Sequence, residues 1–254
     1  MALTGAGGGV LAVPLLVFST NLPVQEVAPV GLLAVGLAAT LGAALGLRAS
    51  EVRYKAAMLM GFVGLVLSPL GFWTARQMDT RMLGLAFAVV LIWVAFNAFR
   101  GSNNSTLNAI DAPPEGGKSD CPCIRNPSTG RFIWTWPCAR ALIASGAIAG
   151  FLSGLLGVGG GFVLVPALQR FTNLTIQSVT VTSLAVISIV SAAGVLNSAG
   201  AGEFNAEIGL TFSGAAAVGM LGGRLISNRL PGAHLKKVFG LICLVVAALM
   251  AIKN

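Results

Sequence analysis

The sequence predicts an all-α integral membrane protein, a polytopic helical bundle of two homologous, inverted repeats whose helices are broken by glycine. Three observations predict it. First, 56% of the 254 residues are hydrophobic and 9% are charged. A soluble domain carries about 25% charged residues, so this chain cannot cover a water-facing surface and lipid is its solvent. Second, residues 3–27, LTGAGGGVLAVPLLVFSTNLPVQEV, match residues 155–179, LLGVGGGFVLVPALQRFTNLTIQSV, at an ungapped offset of 152 with 13 of 25 positions identical. Such concentration at one offset marks a duplication. Third, apolar segments recur with charges only at their ends.

The first repeat, residues 1–99, has apolar segments at 9–20, 26–47, 55–73 and 80–99. The second, 138–254, has them at 139–156, 162–172, 178–199, 206–226 and 234–252. A spanning helix needs roughly 17–25 apolar residues, so 9–20 and 162–172 are short helices that do not cross alone. Nothing in the first repeat matches 139–156; either its start is truncated or this copy has one helix fewer. Residues 1–20 hold a glycine cluster and a proline rather than the basic start and cleavage site of a signal peptide. No Asp, Glu, Lys or His occupies the centre of a segment. Glu26, Arg48, Lys55, Arg81, Glu207, Arg224 and Lys236 sit at the ends, as hydrocarbon demands.

Between the repeats, residues 100–137 form a polar linker, in which CIRNPSTGRFIW carries a turn signal between strand formers and allows a small hairpin. The loop around 48–55 holds Arg48, Arg53 and Lys55 against Glu51. Its counterpart around 200–207 holds Glu203 and Glu207 and no base, while 224–237 holds Arg224, Arg229, Lys236 and Lys237. Basic loops stay in the cytoplasm, which puts 48–55, the linker and 224–237 inside a plasma (inner) membrane. Matching loops then face opposite sides, as in an inverted repeat. The net charge of +8 thus sets topology, and nucleic-acid binding is not expected.

The glycine clusters GAGGGVLAVP and GVGGGFVLVP are the sharpest local features. Gly5, Gly7, Gly8, Gly9 and Pro14 fall on Gly157, Gly159, Gly160, Gly161 and Pro166. Neither cluster is a P-loop, which wants Gly-Lys-Ser/Thr, nor a dinucleotide fingerprint, which wants a preceding strand. In a membrane, glycines that break a helix leave N–H groups without intrahelical partners. Those groups must line a buried or wet cavity, and a helix N-terminus favours an anion. Two matched breaks point to a transport site; the alternative is close packing around small residues. Thr182 and Ser183, which open the following helix, are the expected side-chain contacts to the anion, with back-bonding to the helix as their other use. The matching positions of the first copy are Val30 and Gly31. Asn97 and Asn197 fit interhelical hydrogen bonding, and Arg224 fits snorkelling to the surface.

The doubled G-x-G-G-G-x-x-x-x-P pattern, and GFLSGLLGVGGGFVLVPAL in the second copy, resemble the TauE/SafE family of membrane transporters. The resemblance covers residues 1–100 and 139–254. It implies a carrier of a small inorganic or organic anion, with export of sulfite or an organosulfonate as the leading expectation. The competing reading is a non-transporting membrane scaffold or assembly subunit. An enzyme is not expected, because the helices hold no acid, base or nucleophile pair. No cofactor is expected. No metal is expected either, since Cys121, Cys123 and Cys138 lack a fourth ligand, and on a cytoplasmic linker they read as reduced thiols. Oligomeric state is left open.

Overall fold

The computed structural model describes residues 7–20, 24–48, 53–103, 123, 135–172, 176–200, 206–227 and 240–249. The helices are α1 (Gly7–Thr20), α2 (Val24–Arg48), α3 (Tyr54–Gln77), α4 (Thr80–Asn103), α5 (Trp136–Leu156), α6 (Gly161–Phe171), α7 (Ile176–Gly200) and α8 (Ala206–Ser227). A last apolar helix, α9, covers Gly240–Leu249 within the expected 234–252. Five stretches, within α2, α3, α4, α5 and α7, are long and apolar enough to cross a membrane. The 24 residues of α3 span about 36 Å, against about 30 Å of hydrocarbon. The expected hairpin lies outside the described residues.

Large apolar side chains point outward. Phe62 is 68% exposed, Trp73 63% and Val89 65%. Water would penalise such a surface and lipid does not.

Small residues set the interior. Along α5, Gly146, Gly150 and Gly154 recur every fourth residue and therefore share one face. They press on the α3 backbone. A Cβ on Gly150 would meet the Gly64 Cα at 2.4 Å, one on Gly146 the Met60 carbonyl oxygen at 2.7 Å, and one on Gly154 the Ser68 carbonyl oxygen at 2.1 Å. Contact rises along both helices together, so α3 and α5 run parallel at backbone distance. Without a hydrophobic drive between helices in lipid, this close approach is what holds such pairs. By contrast α2 and α7 run antiparallel: Gly36 lies against Ser191, Gly42 against Leu184 and Gly46 against Val181.

One expectation is corrected. Cys123 and Cys138 are not free thiols but a disulfide, with Cα atoms 4.9 Å apart. The reason is the course of the chain: α6 returns toward the start of α5. Cys123 docks there, pairing with Thr172 and donating its N–H to the Phe171 carbonyl at 3.3 Å. Cys138, in the first turn of α5, is then within reach. Both residues are buried. Cys243 is a buried free thiol.

Candidate functional site

The second glycine cluster ends one helix and starts another. Gly157 caps α5 in the left-handed region (φ 70°, ψ 19°) and donates its N–H to the Ser153 carbonyl at 2.9 Å. Gly159 (φ 83°) and Gly160 (φ 66°) continue the break. Three left-handed residues within four positions are accessible because all three are glycines, with only Val158 between them. From Gly160 the chain starts α6, with the Val163 and Leu164 N–H groups reaching back to the Gly160 carbonyl. The N–H groups of Gly161 and Phe162, ahead of that bond, have no intrahelical acceptor. Pro166 lies inside α6 and removes one further N–H.

This break sits inside the protein rather than in lipid. Gly157 is pressed on Ala28 of α2, and Gly160 on the Ala149 carbonyl of α5. Gly159 faces Val35 of α2 with Ile187 and Ser191 of α7. Gly157, Gly159, Gly160 and Gly161 are all buried.

In the first repeat, Gly7, Gly8 and Gly9 form the first turn of α1, with Pro14 inside it. Gly5 lies outside the described residues. The two clusters are joined through α2. A Cβ on Gly31 would stand 2.8 Å from the Val13 side chain of α1 and 3.6 Å from the Gly157 carbonyl oxygen. Val10 and Val13 of α1 share one core with Leu156, Val158 and Phe162.

Thr182 and Ser183 are fully buried on α7, but the α7 residues against Gly159 are Ile187 and Ser191. Ser183 donates to the Thr180 carbonyl at 2.7 Å. Thr182 accepts the backbone N–H of Arg53 at 3.2 Å. The separation of Thr182 and Ser191 along α7 is about 13 Å. Sequence reasoning passed over Ser191 because it looked for hydroxyls adjacent in sequence to the cluster. It also passed over Arg53, whose backbone N–H meets Thr182 and whose Nε is buried without a hydrogen-bond partner. The Arg224 side chain lies outside the described residues. Asn97 and Asn197 are half-buried. Among the described residues no group of His, Cys, Asp and Glu could hold a metal ion.

Two short apolar helices, α1 and α6, thus share one core, and α6 follows a buried backbone break. Comparison with known proteins decides the family: the profile described as Sulfite exporter TauE/SafE matches residues 1–250. The chain belongs to the TauE/SafE family. A probable membrane transporter protein of Xylella fastidiosa (strain Temecula1) is 26% identical over 251 residues, covering 97% of this chain and 88% of its own. The probable membrane transporter protein YunE of Bacillus subtilis (strain 168) is 22% identical over 211 residues, covering 80% of this chain and 75% of its own. No solved structure matches. The TauE/SafE chain is thus a multi-pass membrane transporter and not an enzyme.

Proposed function

We propose that this protein exports a small anion, with sulfite or an organosulfonate the first candidates, across the plasma (inner) membrane. The observation that carries the reading is the break at Gly157–Gly160. It turns the N-terminal N–H groups of α6 into a buried spot among α2, α5 and α7, where partial positive charge favours an anion. The glycines of both clusters, with Pro14 and Pro166, form this site. Thr182 and Arg53 serve its approach: an unpartnered buried guanidinium Nε, on the residue whose backbone N–H meets Thr182, attracts anions toward the start of α7.

The two repeats are inverted in this reading. The antiparallel contact of α2 with α7, its equivalent at offset 152, is what a two-fold axis in the membrane plane produces. A second relationship supports the duplication. At the same offset Met60, Gly64 and Ser68 of α3 correspond to Phe212, Ala216 and Met220 of α8. The α3 face is covered by α5. The α8 face lines an apolar cleft of about 190 Å³ with Ala12 and Leu15 of α1 and Ala34, Val35 and Ala38 of α2.

Charge and cystine make opposite demands on orientation. Disulfides persist in oxidising compartments, whereas Arg48, Arg53, Lys55, Arg229, Lys236 and Lys237 call for a cytoplasmic face. We take the charges as decisive, because many bases in short loops set topology and one buried cystine does not. The linker is then cytoplasmic, and burial of Cys123 and Cys138 shields their bond from reductants.

The test is flux of sulfite and of an organosulfonate into liposomes containing only this protein. Protein-dependent flux supports the proposal. Its absence, with binding to other membrane subunits, would favour the scaffold reading.

A further inference from the structure

Three hydroxyls among the described residues are buried without a hydrogen-bond partner: Ser68 on α3, Ser153 on α5 and Ser191 on α7, each 0% exposed. Hydroxyls in apolar helices ordinarily satisfy themselves on a carbonyl one turn back. Thr74, Ser145, Ser183, Ser198 and Ser213 all do so here. The three exceptions are not scattered. The Ser191 Oγ lies 3.3 Å from where a Cβ of Gly159 would stand, so it faces the glycine break directly. The Ser68 Oγ lies 3.7 Å from the corresponding point at Gly194, three residues beyond Ser191 on α7. Ser153 supplies the carbonyl that caps Gly157.

We propose that Ser191, seconded by Ser153 and Ser68, supplies the side-chain hydrogen bonds that hold the anion at the N-terminus of α6. The inference rests on the transport reading of the glycine break and deepens it. The ligand class follows from the donors. Residues 141–169 and 176–200 contain no charged side chain, so the ion is held by backbone N–H dipoles and neutral hydroxyls alone. That suits a compact oxyanion with several acceptor oxygens. It also suits turnover, because a carrier must bind firmly enough to load and weakly enough to release.

The experiment uses the full chain, in liposomes for sulfite flux and in detergent for sulfite-dependent thermal stabilisation. Ser191→Ala is expected to raise the KM for sulfite about tenfold or more, as for a lost hydrogen bond to a charged group, and to abolish the stabilisation. Ser153→Ala is expected to act in the same direction more weakly, and provides the reading if Ser191→Ala does not fold. Ser145→Ala, whose hydroxyl is bonded to the Leu142 carbonyl, should leave KM unchanged. Unaltered KM and stabilisation in both site variants would overturn the assignment. A lower melting temperature with unaltered KM would also overturn it, assigning the hydroxyls to a structural water. Wild-type stabilisation by sulfite that Ser191→Ala abolishes, without flux in either, would uphold the binding site and sink the transport reading. A wild type that shows neither flux nor stabilisation would sink both.

Discussion

The backbone N–H of Arg53 donates to the hydroxyl oxygen of Thr182 at 3.2 Å, across 129 residues of sequence. Arg53 precedes α3 and Thr182 lies in the second turn of α7, so the two helices start side by side. α5 runs parallel to α3, and its first turn is tied through Cys138 and Cys123 to the end of α6. The starts of α3, α5 and α7 thus share one face. The end of α2 lies on that face too, since Gly46 packs on Val181.

Topology follows. A single cysteine placed at Ser50, between α2 and α3, and one at Gly202, between α7 and α8, should label from opposite sides of the membrane. Ser50 should be protected from an impermeant maleimide in intact cells and Gly202 should react. Reaction of both from one side would remove the inverted arrangement.

The glycine seam between α3 and α5 makes a stability prediction. Gly150→Leu forces a side chain into the Gly64 backbone, and overpacking of that kind costs about 1–3 kcal/mol or more. Gly219→Ala meets nothing within 4 Å and adds a better helix former, so it should be neutral or slightly stabilising. Thermal melts of the detergent-solubilised variants compare the two. Equal melting temperatures would contradict the seam.

Gly160 carries a related warning for site tests. Its φ is 66°, and an added Cβ would lie 2.3 Å from the Ala149 carbonyl oxygen. On sequence alone, Gly160→Val should lose transport yet stay inserted. The geometry predicts instead that even Gly160→Ala loses monodisperse protein on size exclusion. A well-behaved Gly160→Ala that has lost only flux would restore the simpler view.

The disulfide is directly checkable. In protein unfolded without reductant, PEG-maleimide should leave Cys123 and Cys138 unmodified, and peptide mapping should recover the two linked. Reductant should expose both. Modification of Cys123 before reduction would show the pair open.

Much of this architecture was legible in the sequence because hydrocarbon enforces it. Apolar length, end charges and the 152-residue offset located most of the helices, and the doubled glycines located both short ones. Gly146, Gly150 and Gly154 were equally visible at four-residue spacing, yet in a glycine-rich chain nothing local distinguishes a seam from a substitution-tolerant stretch such as Gly219. Ser191 was harder. A lone serine in an apolar helix carries no periodic signal, and only the fold brings it against Gly159, some 32 residues away. The cystine was hidden for the same reason: Cys123 meets Cys138 because α6 doubles back, a fact of tertiary structure.

The central claim is that this chain alone moves a small anion through apolar segments that hold no Asp, Glu, Lys or His at their centres. A membrane potential then suffices to drive it, at about 2.3 kcal/mol per charge per 100 mV. The decisive measurement is sulfite flux in liposomes under a potassium-diffusion potential with no pH gradient. Net sulfite movement toward the positive side, reversing when the potential is reversed, is the predicted result. Flux that ignores the potential and follows only an imposed pH gradient would contradict the account.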